Sequence, residues 1–203
     1  MENPTYPLPK GYHLEEVDYD EWMPYTEKTM HLPFPDSVAL DEEPLMTPEQ
    51  KARKKVHAAP FAGVFKLFYL IKKGNEIVGW HSSRQTAPDR LYMELTGIFP
   101  GHKRQGLYTA LIPIVLERAK KEGFELVVSR HHASNNAVLI PKMKAGFMIQ
   151  SFEVYWRYGL MVHLHYHLIE HRKKVYQFRT GEHLLPDHLQ AYLPLTKPSE
   201  PDA

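Results

Sequence analysis

Leu95-Thr-Gly-Ile-Phe-Pro-Gly-His-Lys-Arg-Gln-Gly-Leu-Tyr-Thr109 joins an apolar strand to a helix through a basic, glycine-containing turn. The pattern predicts an anion site. Gly101 and Gly106 allow tight turning and close approach of the backbone to a ligand. The unpaired N–H groups at the start of the helix face that ligand, with the positive end of the helix dipole behind them. His102, Lys103 and Arg104 add positive charge, so a phosphate or pyrophosphate is the expected guest. Two common phosphate loops are excluded. Leu107 and Tyr108 stand where a P-loop needs lysine and a hydroxyl, and the Gly-x-Gly-x-x-Gly dinucleotide fingerprint is absent.

Outward from this turn the chain alternates between strand and helix patterns. Downstream, a helix from about Gln105 to Glu122 carries Leu107, Leu111, Ile114, Val115 and Ala119 at helical spacing, and Pro113 predicts a bend or break in it. The apolar strand Leu126-Val-Val-Ser129 follows, then Asn135 in a loop, a short helix, and Lys144-Ala-Gly-Phe-Met-Ile149. Residues 152–158 and 160–168 read as two more strands around Gly159. Upstream, residues 65–71 and 76–80 flank Lys73-Gly-Asn75 as a hairpin, and residues 90–99 form the strand that enters the turn. Residues 12–17 read as a strand, and Asp18-Tyr-Asp-Glu21 and Thr47-Pro-Glu-Gln50 as helix starts, the second helix running to about Ala59. The mixture predicts an α/β class with helices on both faces of a sheet.

A chain of 203 residues suffices for one well-buried core. One domain is expected over residues 1–185, with its core in 60–170 and a proline-containing tail at 186–203. The 25 basic and 24 acidic residues nearly cancel, which argues against nucleic acid or an anionic membrane as partner. The basic stretch Lys51-Ala-Arg-Lys-Lys55 also lacks the interleaved aromatics of a nucleic-acid surface. No apolar run reaches the roughly 20 residues needed to cross a bilayer, and the first residues lack a signal-peptide pattern. With no cysteine, a thiol acyl-enzyme and a cysteine zinc site are excluded, and a cytoplasmic location is expected.

Lys103-Arg-Gln-Gly-Leu-Tyr108 resembles the Arg/Gln-x-x-Gly-x-Gly/Ala turn of the GNAT superfamily of acyl-CoA-dependent N-acyltransferases. The strand, Asn135, helix and Gly-Phe order that follows resembles the same family over roughly residues 60 to 160. The resemblance implies a central mixed, mostly antiparallel sheet of six to seven strands with helices on both faces. It implies acetyl-CoA as cosubstrate and an amine as acceptor. The pantetheine arm would lie between two splayed strands against backbone groups near Ile98, the amides of Arg104, Gln105, Gly106, Leu107 and Tyr108 would hold the pyrophosphate, and Lys103 would add charge to the cofactor site. Asn135 would contact the arm or cap the following helix. Lys103 replaces the more frequent arginine, keeping the charge without the planar fork, and Tyr108 crowds a position usually held by a small residue.

Direct transfer needs an unprotonated amine and hence a general base. Glu94 is the first candidate, placed by strand alternation on one face with Tyr92, Thr96 and Ile98, and His81 is the second. The family often has a tyrosine four residues before the Gly of its Gly-Phe pair, to protonate the leaving thiolate. Lys142 stands there, with an outward-facing helix lysine as the expectation and a proton donor of lowered pKa as the alternative. Tyr155 and Tyr158 are substitutes that the sequence does not separate. His163, His165 and His167 share one strand face, where a packed polar face is expected rather than a metal site. The acidic segment Asp41-Glu-Glu43 favours a cationic acceptor, and exposed strand edges allow a homodimer. The alternative to an enzyme is an acyl-CoA-binding sensor or structural protein with little turnover.

Overall fold

The computed structural model describes residues 3–34, 42–181, 184–190 and 192. Asp41 and the tail prolines Pro194, Pro198 and Pro201 lie outside the described residues. The strands are β1 (Thr5–Pro7), β2 (Tyr12–Val17), β3 (Lys66–Lys73), β4 (Glu76–Ala87), β5 (Arg90–Ile98), β6 (Leu126–His132), β7 (Met148–Tyr155) and β8 (Gly159–His167). The helices are α1 (Tyr19–Thr29), α2 (Pro48–Ala58), α3 (Leu107–Lys121), α4 (Asn136–Lys144), α5 (Glu170–Arg179) and α6 (Asp187–Gln190).

Among the described residues the eight strands form one sheet in the order β1-β2-β3-β4-β5-β6-β8-β7, antiparallel everywhere except between β5 and β6. The count exceeds the expected six to seven because the short β1 pairs with β2 through Thr5↔Glu15. Both predicted helix starts are realised. Asp18 accepts from the Glu21 N–H at 2.8 Å, and Thr47 and Gln50 form a complete capping box. The β3–β4 hairpin turns at Gly74 with φ 60°.

Period-two alternation sends Tyr69 and Ile71 to one face of the sheet and Leu70 to the other. The first face buries Leu111, Ile112, Val115 and Ala119 of α3 in the larger core. On the second face Trp22 of α1 packs with Leu70 and Trp80. α3 runs unbroken through Pro113, so the helix does not break there. Proline removes one hydrogen bond there, but four fully buried α3 side chains hold the segment to the sheet. The parallel ladder between β5 and β6 covers only Arg90↔Leu126, Leu91↔Val127 and Tyr92↔Val128. Beyond Tyr92 and Val128 the two strands part, leaving a wedge that opens toward the turn after β5.

Candidate active site

The turn after β5 takes its left-handed backbone from one of the two glycines that the sequence singled out and from one residue that is not glycine. Left-handed backbone falls on Arg104 (φ 59°) and Gly106 (φ 79°), whereas Gly101 has no positive φ and closes an ordinary 3-10 turn at Pro100–His102. A non-glycine residue held at positive φ is uncommon outside functional or strained turns. Gly106 is the N-cap of α3 and supplies no side-chain cap, so the first-turn N–H groups face outward with the dipole behind them. A Cβ built on Gly106 meets nothing within 4 Å, leaving the space beside these amides open. The side chains act differently. Lys103 donates to the Pro33 carbonyl at 3.2 Å and Lys10 to Gln105 Oε1 at 2.7 Å, so both serve to brace the turn. Tyr108 is turned inward against the larger core, which answers the crowding that its size predicted.

Asn135 precedes α4, is exposed and makes no side-chain cap. Ile98 packs its side chain into the larger core and leaves its backbone on the β5 edge that β6 has left.

Lys142 overturns its expectation. It does not face outward: α4 buries it completely, with Nζ 3.1 Å from Met93 Sδ of β5 and 4.3 Å from the Phe147 ring centroid. Burial pushes the Lys142 ammonium well below the ordinary lysine range. His81 is likewise buried, donating or accepting at 2.8 Å with Thr96 and with Ser83, and burial followed by the neighbouring Lys142 charge lowers it to about 3. A ring so enclosed is a structural neutral histidine, and the structure corrects its candidacy as a base. His131 on β6 is pushed to about 3 by the same two causes, burial first.

Glu94 sits where sequence periodicity fails. Ser82 pairs with Leu95 and Ser83 with Met93, so Glu94 is the extra residue of a β-bulge. Both Glu94 and Leu95 therefore reach the α1 face. Thr96 bonds His81 and Ile98 enters the larger core on the other side, so only Tyr92 of the expected set shares the face of Glu94. Glu94 accepts from Arg84 Nε at 2.9 Å and lines a cleft of about 300 Å³ under α1 with Trp22, Phe68, Ser82 and Leu95. A second cleft of about 250 Å³ shares Arg84 and continues past Tyr92 to Ser129, Arg130 and His163. The sequence reading missed Trp22, Arg84 and Arg130. Ending β4 at Trp80 hid Arg84, although the alternating Ser82, Arg84 and Thr86 carried the signal for a longer strand.

The histidine face of β8 forms as expected. His163 bonds Glu153 at 2.7 Å, while the rings of His165 and His167 lie 4.7 Å apart against Tyr176 of α5. Burial lowers His165 to about 4. Among the described residues no group of three or more His, Cys, Asp or Glu side chains is placed to hold a metal ion. No described helix is long and apolar enough to cross a membrane.

The Acetyltransferase (GNAT) family pattern matches residues 16–147. Similar solved structures include yncA, a putative acetyltransferase from Salmonella typhimurium with acetyl-CoA, at 13% identity and TM-score 0.57, covering 79% of this chain and 96% of that one. A GNAT family acetyltransferase from Elizabethkingia anophelis with acetyl-CoA bound is 18% identical with TM-score 0.54, over 78% and 99% of the two chains. RimL, a ribosomal L7/L12 alpha-N-protein acetyltransferase in complex with coenzyme A, is 15% identical with TM-score 0.59, over 81% and 98%. No curated protein matches the chain by sequence. With its splayed strands, uncapped helix and this match across well over half its length, the chain belongs to the GNAT acetyltransferase family.

Proposed function

We propose that the protein transfers an acetyl group from acetyl-CoA to a primary amine by direct attack. The observation that carries this is the wedge between β5 and β6, which ends at the uncapped start of α3. The amides from Arg104 to Tyr108 hold the pyrophosphate, the arm pairs with the β5 edge around Ile98, and Asn135 reaches it from the opposite wall. The thioester then lies near the point where the strands part, with Glu94 on one side of the sheet and Lys142 on the other.

In the reaction the amine nitrogen bonds to the thioester carbonyl carbon, the carbon–sulfur bond breaks, and the thiolate leaves with a proton. Glu94 receives the proton that the amine gives up, directly or through water. The leaving sulfur takes its proton from the ammonium form of Lys142, which burial makes more acidic than an ordinary lysine. A cytoplasmic location accords with the cysteine-free sequence. Lysine in place of the family's tyrosine also favours a second reading, an acyl-CoA sensor with little turnover.

Calorimetric titration with acetyl-CoA and with free CoA, repeated on Gly106→Val, tests the first step. Micromolar binding lost in the variant is expected, because Gly106 has φ 79° and a valine Cβ enters the open space beside the amides. No binding of either ligand to the natural protein overturns both readings. Binding without acetylation of any member of a broad amine panel selects the sensor.

A further inference from the structure

The walls of the cleft under α1 contain buried polar atoms that the protein itself leaves unanswered. Trp22 and Ser82 line the cleft under α1, and their Nε1 and Oγ, closed to solvent, have no hydrogen-bond partner among the described residues; Trp22 is 6% exposed and Ser82 2%. Ser129 Oγ, equally buried, stands unpartnered in the adjoining cleft. Such groups are rare in folded proteins and mark positions where a ligand atom completes the bonding. Around them the wall is apolar: Met23, Phe68 and Leu95. The mouth is charged. Arg84 uses only Nε on Glu94, so its two terminal amino groups make no hydrogen bond among the described residues. Arg130 lies across Tyr92 from it, held to Glu153 through Nη1 at 3.3 Å.

We propose, resting on the acetyl-transfer reading above, that the acceptor is a free α-amino acid with a large apolar side chain ending in a hydrogen-bonding group, of which tyrosine is the type. The direct Arg84–Glu94 contact presents a cation and an anion side by side, matching a carboxylate and an amine borne on one carbon. The amine lies at Glu94, where the proton leaves. The carboxylate takes the free fork of Arg84 and faces Arg130, the planar bidentate geometry that guanidinium favours. The side chain fills the 300 Å³ cleft, and its terminal polar group reaches Trp22 Nε1 and Ser82 Oγ once the side chains that cover them shift aside. A bulky aromatic body with one polar end fits that lining better than a flexible polyamine, whose second cation Arg84 repels.

The test compares kcat/KM for tyrosine, phenylalanine and tyramine on the full-length protein at saturating acetyl-CoA. Tyrosine is expected to exceed tyramine by roughly 10- to 100-fold, the range that charge-assisted hydrogen bonds to a carboxylate give. Arg84→Met removes this preference by lowering tyrosine toward tyramine. Trp22→Phe and, as a milder variant that keeps the packing of α1, Ser82→Ala lower tyrosine more than phenylalanine. Tyramine equal to or better than tyrosine overturns the proposal while leaving acetyl transfer intact. So does failure to acetylate any of the three by protein that binds acetyl-CoA. Loss of acetyl-CoA binding itself belongs to the preceding reading and is seen separately by calorimetry.

Discussion

Lys142 carries a stability cost that its burial makes measurable. A lysine with no access to solvent, opposite a thioether and an aromatic ring, is favoured in its neutral form. Its folded pKa is lowered, so between that value and the ordinary lysine value the unfolded chain holds a proton that the folded chain lacks. Stability therefore falls as pH drops through that window and is greatest above it. Lys142→Met keeps the length and apolar character of the stem and removes the penalty. We expect it to gain about 1–4 kcal/mol near neutral pH, as replacements of buried charged groups often do, while acetyl transfer slows. Urea unfolding at pH 7 and pH 9 measures the gain, which should shrink at the higher pH. A variant that is destabilised at both values shows that Lys142 is held by contacts worth more than its desolvation.

Between elements, the cleft under α1 depends on how that helix is fastened. Trp80 of β4 donates its indole N–H to Thr29 at the end of α1 at 3.0 Å, and its ring lies against Gly97 of β5. A Cβ at Gly97 would come within 2.7 Å of the Trp80 ring and 2.8 Å of Pro33. Gly97→Ala must displace one of them, and overpacking of this kind destabilises by about 1–3 kcal/mol. Because Pro33 accepts from Lys103, the same change should loosen the anion turn and weaken acetyl-CoA binding. An unchanged urea midpoint together with unchanged affinity means that the segment after α1 moves without resistance. α2 contrasts with this. It buries no side chain, so its amides should exchange far faster than those of α3 in native-state hydrogen exchange, and protection equal to α3 contradicts the description. The contrast also shows what sequence can reveal. Thr47-Pro-Glu-Gln50 is a local signal and located the start of α2 correctly, as the glycine-rich turn located α3. The bulge at Glu94 arises from how β4 and β5 register against each other, and the burial of Lys142 from how α4 crosses the sheet. Neither is written in the spacing of one segment, so alternation assigned Thr96 to the wrong face and helix periodicity left Lys142 outside.

At the scale of the whole molecule, burial favours the neutral form of several histidines, and acid stability is expected to follow from them. His81 and His131 are held at about 3 and His165 at about 4, in each case chiefly by burial, against 6.5 for an ordinary histidine. A lowered histidine pKa means that the unfolded chain binds protons the folded chain refuses from about pH 6.5 downward. The stability these groups permit is thus fully present above pH 6.5 and is lost as pH falls toward their folded values. Each fully linked histidine removes about 1.4 kcal/mol per pH unit in that window. His81 is completely enclosed and should approach this slope, while His165, on the sheet face under α5, should contribute less. The groups sit in different parts of the sheet, so protonation attacks the wedge between β5 and β6 and the α5 docking together. The unfolding free energy should therefore decline steeply between pH 6.5 and pH 4.5, with a slope above one proton. Chemical denaturation across that range, with histidine titration followed by NMR, measures both quantities. A flat profile, or His81 titrating near 6.5 in the folded protein, means that water reaches the interior of the wedge and that the enclosed site described here opens in solution.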